Sequence, residues 1–312
     1  MEKAKKNNIY RLLIESYASQ GQGVAHLAGQ AVFVQGALKG EVCDVQLLKV
    51  GQSALWGKVI KVVTPSPERL GAGCPHYPAC GGCSTRHMSY GEELDFKRQR
   101  VEDALHRIGG TNIPVSVIYG AENTLRYRNK VQFPVSQDQR GLKIGFYRAR
   151  SHDVLDIPDC LLQPGAASRL RGALKSWMEQ YGIAAYDETA HKGVVRHLFV
   201  RTNAAGQSLC AVVANGRSVP REPELVSALR AAEPGLAGIV LAVNKKRTNV
   251  ILGEEFRTLW GRPYLEETLC GLGFRLSVPS FFQVNHEQAE VLYRLAAEFA
   301  ALTGTETVLD LY

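Results

Sequence analysis

Residues 31–69 read AVFVQGALKGEVCDVQLLKVGQSALWGKVIKVVTPSPER. Three β-rich runs, AVFVQGAL, GEVCDVQLLKV and ALWGKVIKVV, are separated by Gly-bearing turns, and a fourth run, IYRLLIESYA, precedes them at residues 9–18. Short strands at this spacing, rich in Val and Ile and divided by tight turns, predict a small closed β-barrel of OB type. Pro65 and Pro67 then remove ladder donors and end the pattern, so a domain boundary is expected near residue 65.

Downstream the pattern changes. SYGEELDFKRQRVEDALHRIGG predicts a helix that Ser89 caps, with Glu92 completing a capping box, Leu94, Val101, Leu105 and Ile108 on its apolar face, and Gly109–Gly110 as the stop. YRNKVQFPVS and LKIGFYRARSHDVLDI flank a turn at QDQRG and predict an antiparallel hairpin. AASRLRGALKSWMEQYGI, EPELVSALRAAE and HEQAEVLYRLAAEFAAL read as helices, and VVRHLFVRTN, SLCAVVANG, GIVLAVNKK and TNVILG as strands. The middle of the chain is therefore a mixed α/β domain. TETVLDLY, at residues 305–312, reads as the start of a buried strand, which predicts a last domain that is cut off.

The 312 residues carry a formal net charge of +7, which favours a polyanionic partner. The basic start MEKAKKNN runs into mixed charge and does not form a signal peptide, and no segment approaches the roughly 18 uncharged apolar residues of a membrane span. A cytoplasmic protein with no membrane partner is expected. The seven cysteines fall into two groups. Cys43, Cys210 and Cys270 sit in apolar segments and read as small buried hydrophobes. Cys74, Cys80 and Cys83, in CPHYPACGGC, are clustered among Pro and Gly, as metal-binding or redox cysteines are in a reducing compartment. A fourth ligand is needed for a tetrahedral zinc or a cubane cluster, and Cys160, in the turn DIPDCLLQP, is the best candidate. Spacing alone leaves zinc and iron–sulfur open.

The segment YRNKVQFPVSQDQRGLKIGFYRAR interleaves cations with aromatic residues, and Arg126, Arg128 and Lys130 at its start are candidate RNA-binding residues. The competing reading is a solvated hairpin whose aromatics face a core. In VPSFFQVNHEQA, Phe281 and Phe282 precede Gln283 and a helix start; the competing reading makes the two rings core residues and Gln283 the cap.

Taken together, CPHYPACGGCSTRHMSYGEELDFKRQRV, DIPDC, YRNKVQFPV, VVRHLFVRT, NKKRTNVILG and PSFFQVNHEQAEVLY resemble the RNA uridine-5 methyltransferases that carry an N-terminal TRAM domain and a 4Fe–4S cluster. That resemblance implies a TRAM domain over 1–64, a central α/β domain with an iron–sulfur site over 65–275, and the beginning of a Rossmann-type methyltransferase domain, cut off, over 276–312. It implies Cys74, Cys80, Cys83 and Cys160 as cluster ligands, Gln283 and Tyr312 as contacts to S-adenosylmethionine, and Phe281 as a contact to the target uridine. The implied reaction is methylation of C5 of a uridine in 23S ribosomal RNA by a monomer. Its nucleophilic Cys and its base are expected beyond Tyr312, so no catalytic residue is assigned within this chain. The alternatives are an RNA-binding iron–sulfur protein without transferase activity and a zinc-stabilised RNA-binding module.

Overall fold

Side-chain alternation organises the first strands. In β5 (Val42–Val50), Cys43, Val45 and Leu47 are buried, and in β4 (Gln30–Gln35), Val32 and Val34 are buried, while their neighbours are less covered. The remaining strands are β1 (Ile9–Leu13), β2 (Ser16–Tyr17), β3 (Gly23–Leu27) and β6 (Ala54–Thr64), and they join in the order β1-β5-β6-β4-β3-β2. The two ends of that order are contiguous in sequence. Ile14 N–H donates to Glu41 O on one side, and Glu15 N–H donates to Val24 O on the other. The N-terminal strand therefore bends at residues 14–15 and pairs with both edges, closing the sheet as expected. Gly57 is required inside: a Cβ there would lie 2.4 Å from Val45 Cγ1.

The computed structural model describes residues 4–71 and 73–311, and the chain forms two compact units, Met1–Gly120 and Ala121–Tyr312. Residues 65–120 thus share a unit with the barrel. Buried Glu41 ties the segment after the barrel to it. Its carboxylate accepts from Leu38 N–H at 2.8 Å, Ser66 N–H at 3.3 Å, and Arg69 Nε and Nη2 at 2.5 and 2.7 Å. Burial pushes this carboxyl up, but the Arg69 guanidinium and the two N–H groups outweigh it and hold it below its ordinary range.

Helix α1 (Tyr90–Arg107) starts at Ser89, whose Oγ accepts from Glu92 N–H at 3.1 Å. The capping box is only half formed, because the Glu92 carboxylate accepts from Tyr17 Oη instead. The buried face also differs from the expected stripe. Phe96 is the buried residue of α1 and meets Tyr17 edge to face, whereas Val101 and Ile108 are exposed. Leu94 and Leu105 of the expected stripe are half-buried, so Phe96 is the one residue of the helix that is fully covered.

The second unit is a seven-stranded sheet in the order β13-β12-β11-β10-β7-β8-β9. Its strands are β7 (Lys130–Asp138), β8 (Gly141–Tyr147), β9 (Val154–Asp156), β10 (Val195–Thr202), β11 (Ser208–Ala214), β12 (Leu236–Val243) and β13 (Glu255–Gly261). Leu198, Val200, Cys210, Val212, Ile239 and Leu241 point to one face. There they pack against Leu170, Leu174 and Trp177 of α2 (Gly165–Tyr181) and Leu225 and Leu229 of α3 (Glu222–Ala232). Phe199, Leu209, Ala211 and Val240 point to the other face, where Leu265 and Val278 cover them. Leu265 lies in β14 (Tyr264–Leu269), which forms a hairpin with β15 (Leu272–Ser277), and α4 (His286–Ala300) follows. Both faces of β11 and β12 are covered, which is why these strands are apolar throughout.

Three expectations are corrected here. TNVILG is a loop: Asn244 Nδ2 donates to Val250 O and Ile251 O, capturing carbonyls that a strand would need, and the strand forms instead at Glu255–Gly261. Cys270 is exposed, because it occupies the left-handed turn of the β14–β15 hairpin with φ 49°. The segment 301–311 contains no strand, so the predicted first Rossmann strand does not form. The Glu306 carboxylate gathers the N–H groups of Thr303, Gly304 and Thr305 into a turn where that strand would begin.

Candidate nucleic-acid interface

Three segments of the second unit meet at one end of the β7–β10 pair. They are residues 128–130 leading into β7, Arg201–Thr202 at the end of β10, and the loop 279–285 before α4. Asn129 joins them all. Its N–H donates to Val284 O and its Nδ2 to Gln283 O, both at 2.9 Å, and its own carbonyl accepts from Thr202 N–H at 2.8 Å. Arg128 forms a β-bridge with Asn285.

Lys130 faces Arg201 across the ladder. Arg201 is 1% exposed, and only its Nη2 is engaged, on Ser280 O; Nε and Nη1 have no hydrogen-bond partner. Burial pulls this guanidinium down to about 10. Lys130 is also held below its ordinary value, by burial and then by the neighbouring cations Arg201 and Arg128. Among the described residues none of these three cations is paired with a carboxylate. Like charges gathered in this way repel one another, and an anion placed among them relieves the repulsion.

The predicted residues separate clearly. Arg126, in a left-handed conformation at φ 56°, forms a two-pronged ion pair with Asp159 at 2.7 and 2.6 Å and donates to Cys160 O and Gln163 O. The guanidinium, opposed only by slight burial, holds the Asp159 carboxyl well below the usual range, with Ser168 Oγ assisting. Arg126 thus fixes the turn that carries Cys160. Phe281 is 80% exposed on the loop. Phe282 is buried with Leu269, Leu276 and Ala289. Gln283 is half-buried beside Phe282, and the cap of α4 is Asn285, whose Oδ1 accepts from Gln288 N–H. Of the hairpin aromatics, Phe133 and Phe146 belong to the core, as the competing reading held. Tyr312 lies outside the described residues. Arg201 and Asn129 were not singled out by the sequence. The placement of Arg201 opposite Lys130 depends on strand register, which no local signal carried.

None of the seven cysteines is disulfide-bonded. Cys74, Cys80, Cys83 and Cys160 are partly exposed, whereas burial pushes the Cys43 and Cys210 thiols up to about 12. Gly82 N–H lies 3.4 Å from Cys80 Sγ, the kind of contact that supports a sulfur ligand. Among the described residues, however, no three His, Cys, Asp or Glu side chains converge as a metal site.

Residues 3–60 match the TRAM domain family. Over 309 residues the chain is 40% identical to an uncharacterized RNA methyltransferase of Clostridium tetani, covering 99% of this chain and 67% of that protein. Over 309 residues it is 39% identical to one of Halalkalibacterium halodurans, covering 98% of this chain and 68% of that protein. The crystal structure of Pyrococcus abyssi tRNA (uracil-54, C5)-methyltransferase in complex with S-adenosyl-L-homocysteine shares the fold. It does so with a TM-score of 0.71 at 24% identity, over 92% of this chain and 64% of that one. The alignments run through nearly all of this chain and about two thirds of those proteins, and the described residues 301–311 hold no strand, which corrects the reading of these residues as the first strand of a Rossmann domain. The chain belongs to the RNA methyltransferases and carries a TRAM domain over residues 3–60.

Proposed function

We propose that this protein acts in the S-adenosylmethionine-dependent methylation of C5 of a uridine in 23S ribosomal RNA, as a cytoplasmic monomer. The observation that carries the RNA-binding part is the cation group Arg128, Lys130 and Arg201 beside the loop that presents Phe281. Cations without carboxylate partners take phosphates, and an exposed ring next to them can stack on a base splayed from the strand. The relatives favour the methyl transfer, and the uridine-methyltransferase motifs favour C5 of uracil in ribosomal RNA. S-adenosylmethionine supplies an electrophilic methyl carbon when bound. Gln283, on the same loop, and Tyr312 are the proposed contacts to it. Arg128 and Lys130 hold the strand, the buried Arg201 adds positive potential behind them, and Phe281 faces the target base. No residue of this chain is assigned to covalent or proton-transfer chemistry.

In this reading Cys74, Cys80, Cys83 and Cys160 are the ligands of a 4Fe–4S cluster. Four thiols and no imidazole are a suitable donor set. Such a cluster would hold structure, and no step of methyl transfer is assigned to it.

The test offers unmodified 23S ribosomal RNA and tRNA with radiolabelled methyl donor, and identifies the methylated nucleoside by digestion. Label in 5-methyluridine of 23S ribosomal RNA is the expected result. Label in tRNA alone overturns the ribosomal assignment, and label in any other nucleoside overturns the C5-uridine assignment.

A further inference from the structure

A second recess lies on the same face of the β7–β10 pair, farther along the strands. Strand alternation puts Lys130, Gln132, Pro134 and Ser136 on one face of β7 and Arg201, Phe199 and His197 on the same face of β10. In register, Lys130 pairs with Arg201 and Pro134 with His197. Four residues separate Lys130 from Pro134, so the recess begins about 13 Å from the cation group. It encloses about 310 Å³ and is lined by Ser136, Tyr147, His152, Tyr186, Arg196 and His197, among others.

Its inner wall is held by main-chain contacts. Tyr186 N–H donates to Val195 O at 2.8 Å, and Gly193 lets the backbones touch, since a Cβ there would lie 2.1 Å from Ala185 O. The Arg196 guanidinium lies over the Tyr186 ring at 4.3 Å, and its Nη1 donates to the carbonyls of Asn244 and Lys246. His197 is 6% exposed, and its Nδ1 has no hydrogen-bond partner; Arg196 Nε likewise has none. Burial, aided by the Arg196 charge, pulls the His197 imidazole down to about 4, so at neutral pH the ring is uncharged. The outer wall is aromatic and more exposed: Tyr147 and His152 meet edge to face at 5.8 Å.

The chemistry of the lining selects the ligand. Asp187 and Glu188 outnumber the one cation, Arg196, so a phosphate is disfavoured. A neutral planar group that both donates and accepts hydrogen bonds suits the aromatic walls and the unpartnered nitrogens. The volume is at the small end of ligand pockets, roughly 300–1,000 Å³. We propose that this recess receives a base of the same single-stranded RNA whose phosphates lie on Arg128 and Lys130, the base stacking on Tyr147 or His152 above His197. The proposal rests on the RNA reading given above, and it adds a base-binding site separate from the loop that presents Phe281.

The test uses single-stranded oligoribonucleotides, with and without one abasic position, and free adenosine and uridine as small probes. The Tyr147→Ala/His152→Ala variant removes the outer wall without touching the buried residues. It is expected to weaken oligoribonucleotide binding about tenfold, in the range of one lost base stack, while leaving the salt dependence as in the wild type. Free nucleosides are expected to shift the His152 and His197 imidazole resonances of the wild type. If RNA binds with steep salt dependence, the double variant binds equally well and the imidazole signals do not move, the recess is not a base site and the RNA reading stands. If salt-dependent RNA binding is absent altogether, the RNA reading fails, and the nucleoside titration then decides the recess on its own.

Discussion

Removing the Glu41 carboxylate should release the segment that leads from the barrel to the cysteine cluster. The side chain is fully buried, and five donors converge on it: two N–H groups of the main chain, from Leu38 and Ser66, two nitrogens of Arg69, and the Cys43 thiol at 3.8 Å. Glu41→Ala leaves Arg69 without its counter-charge and both N–H groups without an acceptor. Breaking a buried pair in this way costs about 3–5 kcal/mol, most of the stability a small barrel has to spare. Each 1.4 kcal/mol is about tenfold, so hydrogen exchange of amides in β4, β5 and β6 that opens globally should quicken by about two to three and a half orders of magnitude. Peptide-resolved exchange by mass spectrometry reads this directly, and peptides from β10 to β12 serve as an internal reference. Glu41→Met/Arg69→Met removes both charges and should lose less than Glu41→Ala alone, since apolar replacement of a buried pair is often tolerated. Exchange in Glu41→Ala within tenfold of the wild type, or a double variant worse than the single one, would refute the reasoning.

Acid should act in two stages. His87 and His197 are both pulled down to about 4 by burial, below the roughly 6.5 of an unfolded histidine. The unfolded chain therefore binds more protons between those values, and stability should fall as pH drops from about 6.5 to about 4. Glu41 and Asp159 are held below their ordinary values, so their contribution is present above about pH 4 and is lost only as pH falls through their lower folded values. Denaturant unfolding between pH 7 and 5 that shows a flat stability would contradict the histidine stage. Arg128→Ala and Lys130→Ala should each reduce the slope of log affinity against log salt by nearly one unit. Arg126→Ala should leave that slope close to the wild-type value, because Asp159 already matches its charge, and an equal drop in all three would show that the ion pair opens on RNA. Anaerobically purified protein should contain iron and sulfide and absorb broadly in the visible range, and Cys80→Ser should bleach it; zinc without iron would refute the cluster.

The sequence by itself determined the barrel, the three later helices and most strands of the second unit, because those signals are local. Val32, Val34, Cys43, Val45 and Leu47 alternate with period two, and Ser89 announces its helix through a hydroxyl three residues from the N–H it caps. It also supplied the family, through motifs such as PSFFQVNHEQAEVLY. The tertiary structure decided what depends on partners distant in the chain. TNVILG has the composition of a strand, but Asn244 takes its carbonyls. Phe281 and Phe282 are alike in sequence, yet one is exposed and the other lies under Leu269 and Leu276. Arg126, Arg128, Lys130 and Arg201 carry the same charge, and only packing shows that Asp159 claims the first while the others gather without a carboxylate. Charge and hydropathy are properties of a residue. Whether a charge is matched or a ring covered is a property of its neighbours, and strand register and turn geometry bring those neighbours in from far along the chain, 154 positions in the case of Asn129 and Gln283.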